Sequence, residues 1–267
     1  MKTSVVGYPR IGASRELKFA SEKYFKKEIT LEELKETAAR LRKTHWEIQK
    51  KYGVDYIPSN DFSFYDNLLD TAALLNIVPE RYRGLGLNET DTYFAMARGY
   101  QGTCGDVKAL AMKKWFNTNY HYIVPEVEDD MQIALKGVKP FEEYLEAKAC
   151  GIETKPVVTG AYTLLKSLRF TGTKKIADIR EDVAGAYREI LKKFGELGAK
   201  WVQFDEPALV LDLTQEEISL LSELYQAILE EKGSVKVLVQ TYFGDVRDCW
   251  DVLAALPVDG LGLDFIE

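Results

Sequence analysis

Along most of the chain, short apolar runs alternate with segments whose apolar positions recur every three or four residues, the pattern of strands interleaved with amphipathic helices. Leu17, Ala20 and Tyr24 share one helical face. Leu34, Ala38, Leu41, His45 and Ile48 form a second seam, opening on the capping pair Thr30 and Glu33 and stopping at Gly53. Leu68–Leu75 reads as a helix closed before Pro79, and Phe141–Gly151 and Cys249–Ala255 read as further helices. Asp178 is expected to cap a helix with the stripe Ile179, Val183, Tyr187, Ile190, Phe194 and Leu197, and Thr214 with Glu217 to cap another.

The strand candidates are Ser4–Val6, Asp55–Ile57, Tyr93–Ala97, Lys155–Gly160, Trp201–Phe204, Val235–Thr241 and Leu261–Phe265. Between them, Arg81–Thr92 reads as irregular, Gln101–Gly105 as a Gly-rich loop and Val107–Lys114 as a helix or helical turn. Strands alternating with helices, with polar clusters just after the strands, predict an α/β fold, specifically a (β/α)8 TIM barrel. The candidates number roughly seven against the eight that such a barrel needs. Either one strand escapes the pattern or the chain is a truncated segment of something longer, since an unpaired edge is avoided in folded proteins. The polar loops Gly7–Ser14, Ser59–Asp66, Gly99–Gly105, Trp115–Tyr122, Asp205–Pro207 and Tyr242–Gly244 are then expected at one rim.

A chain of 267 residues suits one large domain, residues 1–267. No apolar run approaches the ~18 residues of a membrane span, and the N-terminus lacks a signal-peptide pattern, so the expected location is the cytoplasm, with no membrane partner. The net charge of -7 argues against nucleic acid and requires an anionic ligand to be captured by a local basic patch. Cys104, Cys150 and Cys249 are odd in number and far apart, which fits a reducing compartment and buried small hydrophobes better than a disulfide framework.

The stretch Ser4–Lys18 offers such a patch: an apolar strand, a loop through Gly7, Pro9 and Gly12, and a helix start with Arg10, Arg15 and Lys18 nearby. Ser14 is expected to be the N-cap, and the amides after it to favour an anion. Read without context, the glycines only shape a turn and the cations are solvated helix residues. His45, on its helical seam, is expected to be a packed core residue. The cluster Pro58–Asp66 reads as a site loop or a capped turn, and Trp115–Glu126 as the lining of a concave surface or as core. Asp205 and Glu206 close a buried strand, where carboxylates could do acid–base work or hold a metal, although adjacent strand residues point opposite ways.

The run Gly7–Lys18 (GYPRIGASRELK) closely resembles the N-terminal signature of cobalamin-independent methionine synthases, the 5-methyltetrahydropteroyltriglutamate–homocysteine methyltransferases. The resemblance continues through Asp61–Asp66 and is most specific at Lys114–Tyr122, and it covers essentially the whole chain. Ala161 stands where the family often has Pro, a small departure. The resemblance implies that Arg15, Glu16, Leu17, Lys18 and Lys114 contact the folate substrate, 5-methyltetrahydropteroyltri-L-glutamate; Lys113 is the competitor that periodicity leaves open. It further implies an N-terminal barrel partnered by a C-terminal catalytic barrel of the same polypeptide. That second barrel would hold the family's zinc on His, Cys, Glu and Cys ligands outside this chain, and no cobalamin is implied. His45 and His121 are the only histidines and neither stands at a metal-ligand spacing from a cysteine. The isolated domain is therefore expected to bind and scaffold without catalytic residues of its own. Two other readings remain: a free-standing one-barrel paralogue that binds folate or another polyanion, separated by the length of the native reading frame; and a uroporphyrinogen decarboxylase-like enzyme using Asp205, against which the Arg15–Lys18 and Lys114 matches count.

Overall fold

The computed structural model describes residues Met1–Ile266. The chain divides into two compact units, one made of Met1–Phe64 with Lys139–Val157, the other of Tyr65–Val138 with the described residues from Val158 onward.

In the first unit the helix Leu31–Lys51 opens on Thr30, whose side chain accepts the Glu33 N–H while the Glu33 carboxylate takes the Thr30 N–H. Its buried positions Leu34, Ala38, Leu41, His45 and Trp46 recur at helical spacing. Leu17 of the helix Glu16–Phe25 packs with Ala38, Leu41 and Phe62. A neighbouring cluster joins Trp46 to Ile57, Ala147 and Ile152. The strand Ile57–Ser59 is buried at every position and pairs in parallel with the start of the strand Thr154–Thr159, Ile57 opposite Thr154 and Ser59 opposite Pro156. Burial on both faces is what parallel strands covered by helices require. Of the expected strand Ser4–Val6, only a single parallel bridge from Ser4 to Tyr56 forms. Gly7 and Pro9 end any ladder there, because Pro has no N–H to give and Gly has no side chain to pack.

In the second unit Trp201–Asp205, Lys236–Gln240 and Gly260–Gly262 form a parallel set, with Gln240 facing Asp205 on one side and Gly262 on the other. The helices Ile176–Glu196 and Gln215–Leu229 bury the expected stripes, including Ile179, Val183, Tyr187, Leu221 and Leu224. Asp178 is not the cap residue: Lys175 holds that position and donates its N–H to the Asp178 carboxylate at 2.8 Å, so Asp178 works from inside the first turn.

Three other expectations change. Tyr93–Ala97 is the buried middle of the helix Glu89–Arg98, which also takes up part of the span read as irregular. The rest of that span includes a helical turn, Glu80–Arg83. Val107–Lys114 is not helical; it runs from the hairpin Tyr100–Gly102/Gly105–Val107 into the strand Met112–Lys114, which pairs antiparallel with His121–Ile123. The described architecture is α/β, with parallel strands covered by helices and short antiparallel hairpins added to it.

Candidate functional site

The segment Gly7–Lys18 is a loop wound tightly onto the start of its helix. Arg15, with φ 62° and ψ 33°, is the N-cap in place of Ser14, and no side chain caps the helix from that position. The Ser14 N–H instead goes to Glu16 Oε2 at 3.0 Å, the Arg15 N–H to the Gly12 carbonyl at 3.2 Å and the Leu17 N–H to the Ile11 carbonyl at 3.2 Å. Gly12 has φ +85°, and a Cβ there would run into the Glu16 carboxylate and Leu41. The Arg15 and Leu17 amides, which follow Ser14 and were expected to be open to an anion, are thus consumed locally. Glu16 itself supplies negative charge to the positive end of the helix.

What the segment offers an anion is side chains. Arg15 and Lys18 are exposed, whereas Leu17 is 2% exposed and anchors the helix to the core. Lys18 has an i,i+4 pair with Glu22 at 3.8 Å and lies 6.0 Å from the Phe19 ring centre, weak interactions for an exposed cation. The loop is held from below: Tyr8 donates its N–H to Asp61 Oδ2 at 2.7 Å, and its ring lies 4.6 Å from the imidazole of His45. His45 is 8% exposed and burial lowers its basicity, as expected of a packed core histidine. Burial pushes the Asp61 carboxyl up to about 6, with the Tyr8 N–H pulling the other way.

In the second unit the two carboxylates that close Trp201–Asp205 diverge. Asp205 takes the Gln203 side-chain amide at 2.6 Å and the Tyr242 hydroxyl at 3.2 Å. Glu206, fully buried, accepts the N–H groups of Tyr162 and Thr163 at 2.9 and 2.7 Å and the Tyr225 hydroxyl at 2.6 Å. It therefore caps the helix Ala161–Ser167, which has no cap from its own Gly160, and ties that helix to Gln215–Leu229. Burial raises the Glu206 carboxyl, and those hydrogen bonds oppose it. Glu206 is a structural cap, a role that its place in the Asp-Glu-Pro run did not distinguish from chemistry.

Lys114 lies at the end of the strand Met112–Lys114, opposite His121; Lys113 lies opposite Tyr122, and all three strand residues are exposed. By strand alternation the two lysines serve opposite faces. Beyond Lys114 the turn packs its rings inward: Trp115 lies 5.5 Å from Tyr122, and Phe116 5.7 Å from Phe243 of the loop after Lys236–Gln240. Arg15, Glu16, Leu17 and Lys18 are thus consecutive on one helix start in the first unit, and Lys114 belongs to a hairpin of the second.

The profile of the family described as "Cobalamin-independent synthase, N-terminal domain" matches residues 2–267. The chain belongs to that family. It is 55% identical over all 267 residues to the 5-methyltetrahydropteroyltriglutamate–homocysteine methyltransferases of Streptococcus gordonii and of Campylobacter jejuni subsp. doylei. The chain spans only 36% and 35% of the length of these relatives. Among solved structures, a protein assigned as a vitamin-B12 independent methionine synthase from Listeria monocytogenes matches 99% of this chain and 74% of its own, with a TM-score of 0.68 at 17% identity. A B12-independent methionine synthase from Shewanella sp. W3-18-1 matches 86% of this chain and 58% of its own at a TM-score of 0.56 and 16% identity. At that identity the likeness concerns the fold.

Cys104 is exposed, Cys150 half-buried and Cys249 buried, the last with its thiol pushed up to about 11 by burial. Among the described residues no group of three or more His, Cys, Asp or Glu side chains is placed to hold a metal ion. The donors present do not fit the His and thiolate set expected of a zinc site. Asp61, which takes the Tyr8 N–H, is the residue at this segment that periodicity could not single out. Asp61 stands in a polar run that names a loop without saying what it grips.

Proposed function

We propose that this chain is the folate-binding and scaffolding N-terminal domain, residues 1–267, of a 5-methyltetrahydropteroyltriglutamate–homocysteine methyltransferase. In this reading its parallel strands and helices form the N-terminal (β/α)8 barrel, and a C-terminal barrel of the same polypeptide carries the methyl transfer. When bound there, zinc supplies the Lewis acidity that keeps the homocysteine thiol ionised; its ligands lie outside this chain. Identity along the whole of this chain to methyltransferases about three times as long supports the division of labour. A cytoplasmic location belongs to the same reading and is supported by the three free cysteines.

The observation that carries the binding role is the pair of exposed cations, Arg15 and Lys18, on a helix start whose loop is otherwise locked into local hydrogen bonds. A protein of net charge -7 repels a polyglutamate tail at long range, so cations must be concentrated where the tail lies. Arg15 offers a planar fork to a carboxylate and Lys18 a mobile point charge, with Glu16 and Leu17 shaping and anchoring the segment. Lys114, exposed on its hairpin, is assigned to the same tail on the strength of its motif. Each solvated pair should contribute on the order of 1 kcal/mol and weaken with salt. The test compares mono- and triglutamyl 5-methyltetrahydrofolate as substrates of the whole polypeptide bearing Lys18→Ala and Lys114→Ala. The expected outcome is an increase in KM for the triglutamyl form, by roughly fivefold per lysine, with the monoglutamyl form little changed. An unaltered ratio between the two substrates would remove both lysines from the site.

A further inference from the structure

The segment that leads into Arg15 and Lys18 is joined to the neighbouring loop through Asp61, which accepts the Tyr8 N–H. Asp61 sits on a loop that is pinned independently of the N-terminal segment. Asn60, in the left-handed conformation with φ 59°, donates its side-chain amide to the Val157 carbonyl at 2.7 Å and accepts the Lys139 ammonium at 2.7 Å. Lys139 also reaches the Phe62 carbonyl at 2.7 Å, and the Trp46 indole N–H the Pro58 carbonyl at 3.0 Å. From this frame the Asp61 carboxylate takes the Tyr8 N–H at 2.7 Å, while the Tyr8 ring rests on His45. Gly7 runs beside the same side chain: a Cβ there would lie 3.7 Å from the Asp61 Cβ. On the chain side, Arg15 and Leu17 hydrogen-bond back to Gly12 and Ile11, which follow Tyr8 by four and three residues.

We propose that Asp61 is a positioning residue. By gripping the Tyr8 N–H it holds the Gly7–Ser14 loop in the one path that presents Arg15 and Lys18 together to the carboxylates of a polyglutamyl tail. The inference rests on the folate reading above. The grip is charge-assisted, and such bonds are about twice as strong as neutral ones. A loop of this kind would otherwise sample many paths, and each tail contact would bear the cost of ordering it.

Two readouts separate this inference from the reading beneath it. Trypsin cleavage after Arg10, Arg15 and Lys18 reports loop opening without any folate. Kinetics with the triglutamyl substrate reports tail binding. In the whole polypeptide, Asp61→Ala is expected to speed cleavage at those sites about tenfold and to raise KM for the triglutamyl form about tenfold with kcat unchanged. Asp61→Asn, which keeps an acceptor without the charge, should give about threefold in each; if Asp61→Ala does not fold, that variant carries the test. Slow, wild-type cleavage in both variants overturns the grip, whatever the kinetics. If Lys18→Ala alters the tail preference while Asp61→Ala opens the loop and leaves KM unmoved, the positioning role is overturned and the folate reading stands. If Lys18→Ala leaves the preference intact, the folate reading fails, and cleavage alone decides whether Asp61 holds the loop.

Discussion

Glu206 has been taken wholly out of water and given three donors in exchange, so it is the residue whose loss the second unit should feel most. Gly160 is shaped to it: a Cβ there would fall inside the Glu206 carboxylate, although the backbone at Gly160, φ -67° and ψ 153°, suits any residue. Gly160→Ala is thus a purely steric change, expected to cost about 2–3 kcal/mol in denaturant unfolding. Glu206→Ala strands the Tyr162 and Thr163 amides and should cost about 3 kcal/mol or more. Because removing the carboxylate also removes the clash, the double variant is expected to lose clearly less than the sum; strict additivity would show that the two do not share the space. Asp61 sets a second test. Its carboxyl is raised from 3.8 to about 6, chiefly by burial and also by Glu143, and opposed by the Tyr8 N–H and Lys139. A raised acid binds its proton more tightly in the folded state, so its contribution to stability is complete below the unfolded value near 3.8 and is lost as pH rises through 6. Relative to wild type, Asp61→Asn should gain on the order of 1–2 kcal/mol between pH 4 and pH 7. Parallel unfolding curves for the two proteins across that range would mean that the carboxyl is not shut in. Global stability and loop opening need not move together, since the ionised form costs the fold free energy while it grips Tyr8.

At the scale of elements, what could be read from sequence was whatever local chemistry dictates. Thr30 with Glu33 and Thr214 with Glu217 form the expected boxes, because the cap and its partner are three residues apart and need no tertiary help. The strands Trp201–Asp205 and Lys236–Gln240 announced themselves as apolar runs. The failures have one cause, which is that a short apolar run has no period to read. Tyr93–Ala97 is buried on every side, so its helix shows no polar face over that stretch; the missed signal was Asn88, whose side chain accepts the Asp91 N–H at 2.9 Å. Asn88→Ala should therefore cost about 1 kcal/mol, measured by thermal or denaturant unfolding, and no effect would mean that the helix start is held by its packing alone. The hairpin ending in Lys114 was hidden for the opposite reason. Its strands are short, the first of them exposed throughout, and its turn depends on Phe116 adopting φ 52°, which a phenylalanine does only under tertiary constraint. The site follows the same rule. The proposed tail cations Arg15, Lys18 and Lys114 rest on motif resemblance alone and His45 was legible as a core position on its seam, while the grip of Asp61 and the capping role of Glu206 depend on contacts across many residues of chain.

For the whole molecule, two facts count most: the chain spans about a third of its methyltransferase relatives, and among the described residues no group of His, Cys, Asp and Glu is placed to hold a metal ion. Methyl transfer to a thiol near neutral pH requires the thiol to be ionised, which a coordinating metal achieves outright and an unassisted thiol with a pKa near 8.5 does only in small part. Cys249, the buried thiol, is shifted further from ionisation, and His45 is packed against Tyr8. The 267-residue chain by itself is therefore expected to hold no stoichiometric zinc and to transfer no methyl group from 5-methyltetrahydropteroyltriglutamate to homocysteine. Elemental analysis after dialysis against a weak chelator, with methionine formation assayed on the same sample, checks both halves. Activity should appear only in the longer polypeptide. One tightly held zinc per chain, or methionine made by the chain alone, would mean that residues placed here as core and caps rearrange into a catalytic centre, and the division of labour between two domains would have to be abandoned.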